Sequence, residues 1–140
     1  MLHLGGCHCG NLTLRLRLTR PPMDNPTRSC QCAFCRAHAT RTVSDPLGQV
    51  DIAARDGAQV ERYRFETKTA DYLLCKACGV YIGAMCDTPD GARMVTNVNT
   101  LDDRDAFPPS STFPNHDQEA VEARMARRAA NWTPATTHGF

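Results

Sequence analysis

Between Asn11 and Thr19 the chain reads NLTLRLRLT, so that Leu12, Leu14, Leu16 and Leu18 alternate with Thr13, Arg15 and Arg17. A period of two puts the leucines on one face and predicts a strand with one side buried. The following TRPPMDNPTRS contains three prolines. Proline has no N–H for a sheet ladder, so this segment is a loop leading into Cys30. QVDIAA, QVERYRFE, ADYLL, VYIGAMC and RMVTNVN predict further short strands, separated by turn signals at Asp56-Gly57 and Pro89-Asp90-Gly91. Only HDQEAVEARMARRAAN reads as a helix, with Asn115 or Asp117 as its cap, acids early, and Arg124, Arg127 and Arg128 late. It is expected to be a solvated C-terminal packing element. FPPSSTFP, just before it, reads as an extended linker within the domain.

The pattern therefore predicts a mainly β chain with a short C-terminal helix, and no repeat or composition shift divides residues 1–140 into more than one domain. A chain of 140 residues has a modest core and is near the size at which cross-links or metals help. The formal net charge is +1, 22% of residues are charged, and no long run carries one sign. A nucleic-acid or anionic-membrane partner is not expected. No stretch approaches the roughly 18 apolar residues of a membrane span, and MLHLGGCHCG lacks the basic-then-apolar order of an export signal. The expectation is a soluble, cytoplasmic protein.

Eight cysteines in a reducing compartment favour metal over disulfide when they are closely spaced. Cys7 and Cys9, in CHC, are two apart and project to one side of an extended backbone. Cys75 and Cys78, in CKACG, have the spacing of a zinc knuckle, whose turn aims backbone amides at the sulfurs. Together the two pairs supply the four ligands of a closed structural zinc. Cys30, Cys32 and Cys35, in CQCAFCR, form a third group with no obvious fourth member nearby. Three thiolates and one vacant position are the ligand arithmetic of a reactive zinc. Cys86, from GAMC, or His38, from CRAHA, could instead close that site. Cys86 shares a predicted strand face with Val80, Ile82 and Ala84, which suits a small buried hydrophobe.

The order GGCHCG, CQCAFCR, CKACG resembles the glutathione-dependent formaldehyde-activating enzyme family, which includes the proteins related to centromere protein V. The resemblance runs from Gly5 to Gly79 and more weakly on through Trp132. It implies a β-tent fold of antiparallel sheets around a structural zinc held by Cys7, Cys9, Cys75 and Cys78. It also implies a second zinc on Cys30, Cys32 and Cys35, two zinc ions per chain, with glutathione able to join the second. The implied reaction is addition of the glutathione thiol to formaldehyde, giving S-hydroxymethylglutathione, a carbon–sulfur lyase reaction in reverse. The segment AHATRTVSDP, after Arg36, departs from the family pattern by being polar and basic, so the pocket wall differs here.

Zinc with three thiolates carries a formal charge of about −1, and a substrate thiolate takes it to about −2. A cation should stand near: Arg36 is the first candidate, with Arg41 beside it and Arg28 third. The substrates expected are a small-molecule thiol and an aldehyde. His8 would point away from its flanking cysteines, and His3, His116 and His138 carry no supporting context. The competing readings are a zinc-stabilised binding module with both sites closed, and methionine sulfoxide reduction on a similar fold. The latter needs an isolated nucleophilic cysteine, for which only Cys86 is available.

Overall fold

The structure, a computed structural model, describes residues 1–140. Its strands are β1 (Leu2–Gly6), β2 (Leu12–Arg17), β3 (Thr27–Arg28), β4 (Thr42–Val43), β5 (Gln49–Ala54), β6 (Val60–Tyr63), β7 (Asp71–Cys75), β8 (Tyr81–Thr88), β9 (Gly91–Asn97), β10 (Ser110–Thr112) and β11 (Thr133–His138). Its helices are α1 (Ala33–Ala37) and α2 (Val121–Asn131). All six segments predicted as strands are strands.

The leucine repeat forms β2, with Leu12, Leu14 and Leu16 buried and Thr13, Arg15 and Arg17 exposed. It lies antiparallel between β1 and β5. The second sheet runs β6–β7–β8–β9, each pair antiparallel, and continues from the far edge of β9 through β4 and β3 to β10. β11 joins the two sheets: Thr133 and Pro134 pair with β9, while Ala135–His138 run parallel to β5. The leucines of β2 pack with Val50, Ile52, Leu73, Ile82, Met94 and Leu101 in the main core between them. No helix is long and apolar enough to cross a membrane.

Five details differ from the sequence reading. The sheets are mixed rather than wholly antiparallel, because β10 pairs in parallel with β3 and β11 with β5. The linker FPPSSTFP thus contains a strand.

The alternation of β8 also breaks. Leu74 pairs with Tyr81 and Leu73 with Gly83, leaving Ile82 as an extra residue. Ile82 and Met85 consequently join the main core, while Ala84 and Cys86 pack on the opposite side with Ala70, Val95 and Trp132. Cys86 is a buried small hydrophobe as expected, but it does not share a face with Ile82.

The C-terminal helix starts later than predicted, at Val121 with Ala120 as its cap residue. Asn115 instead accepts from the Asp117 N–H at 2.9 Å, a local turn that spends the side chain before the helix begins. Nor is the helix merely solvated. Its buried residues are Arg124 and Arg128, packed against the β8–β9 side of the molecule.

Candidate active site

Two turns bring the first four cysteines together. Cys7 and Cys9 lie in the β1–β2 turn, closed by Gly10 N–H to the Cys7 carbonyl at 3.3 Å, so they meet through a turn and not along an extended strand. Cys75 and Cys78 lie in the β7–β8 turn, where Gly79 adopts φ +80° and donates to the Cys75 carbonyl at 2.7 Å. Only glycine takes that backbone conformation without strain. The four sulfurs lie within 4.8 Å of one another. Cys7 to Cys9 is 3.7 Å and Cys9 to Cys75 is 3.6 Å. Zinc–sulfur bonds of about 2.3 Å imply a tetrahedral edge of about 3.8 Å, so the cluster suits zinc without rearrangement.

A backbone amide also reaches this cluster: Leu12 N–H donates to the Cys7 sulfur at 3.2 Å. Against the burial that opposes ionisation, the backbone N–H groups of Cys9 and Val80 hold Cys78 down at about 6. Burial pushes Cys75 up to about 11, so without a cation the cluster cannot ionise throughout.

The second cluster sits between β3 and α1. Its loop is held from outside by the former linker: Ser29 N–H donates to the Thr112 carbonyl at 3.0 Å and Gln31 N–H to that of Pro114 at 2.8 Å. Ser29 and Ser110 share a hydroxyl hydrogen bond of 2.6 Å. Cys32 is the cap of α1, its sulfur accepting from Cys35 N–H at 3.4 Å. The sulfurs of Cys30, Cys32 and Cys35 lie within 4.8 Å of one another. Hydrogen bonds from Cys30 and then Cys35 hold the Cys32 thiol far below its ordinary value, while contact with Cys30 and Cys32 pushes Cys35 far up. One negative charge is shared among three thiols, and only a cation between them would let all three ionise.

Neither proposed closure is present. Cys86 and His38 both lie outside the cluster. Cys86 packs with Ala84 and Trp132, and the His38 ring lies tilted against Phe34, with ring centroids 4.5 Å apart. The three thiols instead line a cleft that opens to solvent.

Of the three cations expected near the cluster, one lines this cleft. Arg36 is exposed and does not line it. Arg41 donates to the carbonyls of Arg104, Phe107 and Pro108, and so braces the segment before β10. Arg28, ranked third from sequence, does line the cleft, together with Arg124, Arg127 and Arg128 of α2. Burial, then Arg127, lowers the Arg28 pKa, while Cys30 acts in the opposite direction. Arg127 grips the Glu119 carboxylate at 2.9 and 3.1 Å, holding that carboxyl below its usual range.

Phe65, Tyr72, Tyr81 and Trp132 form the apolar wall. Phe34 stands behind them, with ring centroids 4.9 Å from Tyr72 and 5.0 Å from Tyr81. Burial, and then the negative charge of the Cys35, Cys32 and Cys30 cluster, raise the pKa of both tyrosines, so each phenol keeps its proton.

His116 also lines the cleft, its pKa lowered by burial and then by Arg127. His8 and His138 are exposed, and His3 is buried against Asp103 at 2.7 Å. The α2 arginines were missed although a signal was available: Arg124, Arg128 and Trp132 recur every four residues, where a packing stripe belongs.

The class is a mainly β fold of two joined sheets that carries a four-cysteine cluster and an open three-cysteine cluster, both consistent with metal sites. Residues 2–116 match the family model described as glutathione-dependent formaldehyde-activating enzyme, and the chain belongs to that family. Among solved structures, a Rhodobacter sphaeroides protein determined by the Northeast Structural Genomics effort is 26% identical, with a TM-score of 0.57. The match covers 71% of this chain and 87% of that one.

Proposed function

We propose that this chain, acting as one unit over residues 1–140, adds a small thiol to formaldehyde or another small aldehyde. Two zinc ions are assigned, a structural one on Cys7, Cys9, Cys75 and Cys78 and a second on Cys30, Cys32 and Cys35. The carrying observation is that three clustered cysteines face a cleft without a fourth Cys, His, Asp or Glu donor beside them. A zinc ion there supplies a position at which a substrate thiol is held as thiolate near neutral pH.

The chain's own residues then position and balance the reactants. Arg28, next to Cys30, offsets the accumulated negative charge. The aromatic wall excludes water from one side of the aldehyde. As the thiol sulfur bonds to the carbonyl carbon, the C=O electron pair moves to oxygen, which takes a proton and leaves a hemithioacetal. No electrons are gained or lost overall. Tyr72 and Tyr81, protonated and in the cleft, are the available donors to that oxygen. Glutathione is the first thiol to test, on the strength of family membership.

Cobalt substitution tests the assignment, because thiolate-to-cobalt bands report sulfur ligation. Titration with glutathione is expected to change the bands of the Cys30, Cys32, Cys35 site, and Cys32→Ser to abolish that change. An unaltered spectrum with two saturated four-ligand sites would instead favour a closed, non-catalytic binding module.

A further inference from the structure

We propose that His116 is the general base of this cleft, taking the proton from the incoming thiol as its sulfur attacks the aldehyde. The inference deepens the thiol–aldehyde reading above and rests on it.

A thiol added to a carbonyl must lose a proton, and the cleft offers few groups to take it. Its four arginines stay charged. Tyr72 and Tyr81 keep their phenolic protons. The Glu119 carboxylate is engaged by Arg127 at 2.9 and 3.1 Å, which holds it below its usual range. Glu66 and Asp117 stand exposed at the rim, and a carboxylate is a weaker base than imidazole by about a hundredfold. His116 is the one imidazole that lines the cleft.

Its position is fixed from two directions. The Pro114 carbonyl, two residues before it, accepts at 2.8 Å from the N–H of Gln31, which lies between Cys30 and Cys32. The His116 carbonyl accepts from Arg124 Nη2 at 2.6 Å and from Glu119 N–H at 3.0 Å. The residue is thus tied to the loop of the thiols on one side and to α2 on the other. Its side chain is 28% exposed, so a proton taken in the cleft can be passed on to water. Nδ1 lies 3.8 Å from Glu119 Oε1, too far for a hydrogen bond. An ionised carboxylate has no proton to donate, so the ring's lone pair stays open, and once the ring is protonated Glu119 answers the new charge.

The surrounding charges set its working state. Burial first and Arg127 next lower the His116 pKa, Glu119 opposes them, and Arg124 and Arg28 add to the lowering. These groups face the ring from α2, from the turn before it and from β3, and Asp117 adjoins it in the chain. The ring is therefore neutral and able to accept a proton at neutral pH. The same guanidinium groups favour a thiolate over a thiol, so they ease the departure of the proton as well. As the S–H bond breaks towards the ring nitrogen, the sulfur–carbon bond forms and the carbonyl electron pair moves to oxygen, which takes a proton from a cleft tyrosine. The imidazolium proton then restores that phenol through the water of the open cleft. Ring and phenol end as they began, and nothing is oxidised or reduced.

The pH dependence of kcat/KM for 2-sulfanylethanol and formaldehyde, measured above the uncatalysed rate in the zinc-loaded protein, tests this. With His116 as base the wild-type value falls as pH drops through the imidazole's pKa, below the ordinary value of about 6.5, and is level above it. His116→Gln is expected to lower the level by about a hundredfold, to move the acid limb up towards the thiol's own ionisation near about 8.5, and to be partly rescued by added imidazole. A wild-type limb already at the thiol's ionisation, or a limb unmoved in the variant, overturns the base. A second comparison needs no variant: thioacetate, ionised throughout this range, has no proton to lose and should show no such limb in the wild type. Identical limbs for the two sulfur compounds overturn the proposal. Thiol-induced cobalt bands separate this inference from the reading beneath it. In His116→Gln they should persist while turnover falls, because the ring acts on the proton and not on thiol binding. Intact bands with intact turnover in that variant overturn the base alone, whereas no bands and no turnover in the wild type overturn the thiol reading and the base with it.

Discussion

Tyr81 is placed by a single extra residue. The bulge at Ile82 turns Tyr81 and Ala84 to the cleft while sending Ile82 and Met85 into the core. Its phenol is kept protonated by burial first and by the negative charge of the three-cysteine cluster second, so it remains a donor well into the alkaline range. Tyr81→Phe is expected to lower thiol–aldehyde turnover by about a hundredfold, the lower end of the range for loss of a transition-state donor. Thiol affinity by cobalt titration should be unchanged, because the hydroxyl acts on the aldehyde oxygen. If turnover survives intact, Tyr81 only packs. The cysteine groups were legible because ligand spacing is local and metal geometry tolerates little variation. Arg36 was misplaced because adjacency in the chain was used for adjacency in space. It follows Cys35 directly yet faces solvent, while Arg124 and Arg128 come to the same cleft from a distant helix.

Among the elements, β2, β5 and β7–β9 were readable from alternation or apolar runs, since each buries a face. β11 was not: TPATTH contains no large apolar residue, and only Thr133 is buried. Its pairing with β5 and β9 is a backbone matter that side-chain pattern does not encode. One anchor of its start can be tested. The buried Asp45 backbone N–H donates to Thr133 Oγ1 at 2.8 Å, and its carboxylate accepts from Thr19 N–H, Thr19 Oγ1 and Leu47 N–H at 2.8, 2.6 and 2.9 Å. Burial alone would raise its pKa, but these donors and Arg20 hold it below the ordinary aspartate value. A depressed carboxylate contributes stability that is complete above its unfolded value and is lost as pH falls through the folded one. Urea unfolding should therefore show the wild type losing this contribution below about pH 4. Asp45→Asn should cost about 1–3 kcal/mol at pH 7 and flatten that acid limb. Equal stability of the two proteins at pH 7 would remove Asp45 as an anchor.

For the whole molecule, the two clusters have different mechanical positions. Cys7 and Cys9 belong to the turn that ends β1, in one sheet, and Cys75 and Cys78 to the turn between β7 and β8, in the other. An ion held by all four clamps the sheets at one end, as β11 does along their shared edge. Cys30 and Cys32 lie on a loop already held by backbone bonds to Thr112 and Pro114, Cys35 lies on the short helix that follows, and nothing in the main core rests on them. Metal loss should therefore have unequal consequences. A structural zinc contributes on the order of 10 kcal/mol in small domains, comparable to the whole stability of a domain this size. Cys9→Ser, or a chelator strong enough to strip the four-cysteine site, is expected to abolish the cooperative thermal transition. Cys30→Ser should keep that transition within a few degrees of the wild type while metal content falls from two ions to one and thiol-induced cobalt bands disappear. Equal unfolding of the two variants would mean that both clusters hold the fold together, and the cleft would lose its claim to a metal kept for chemistry.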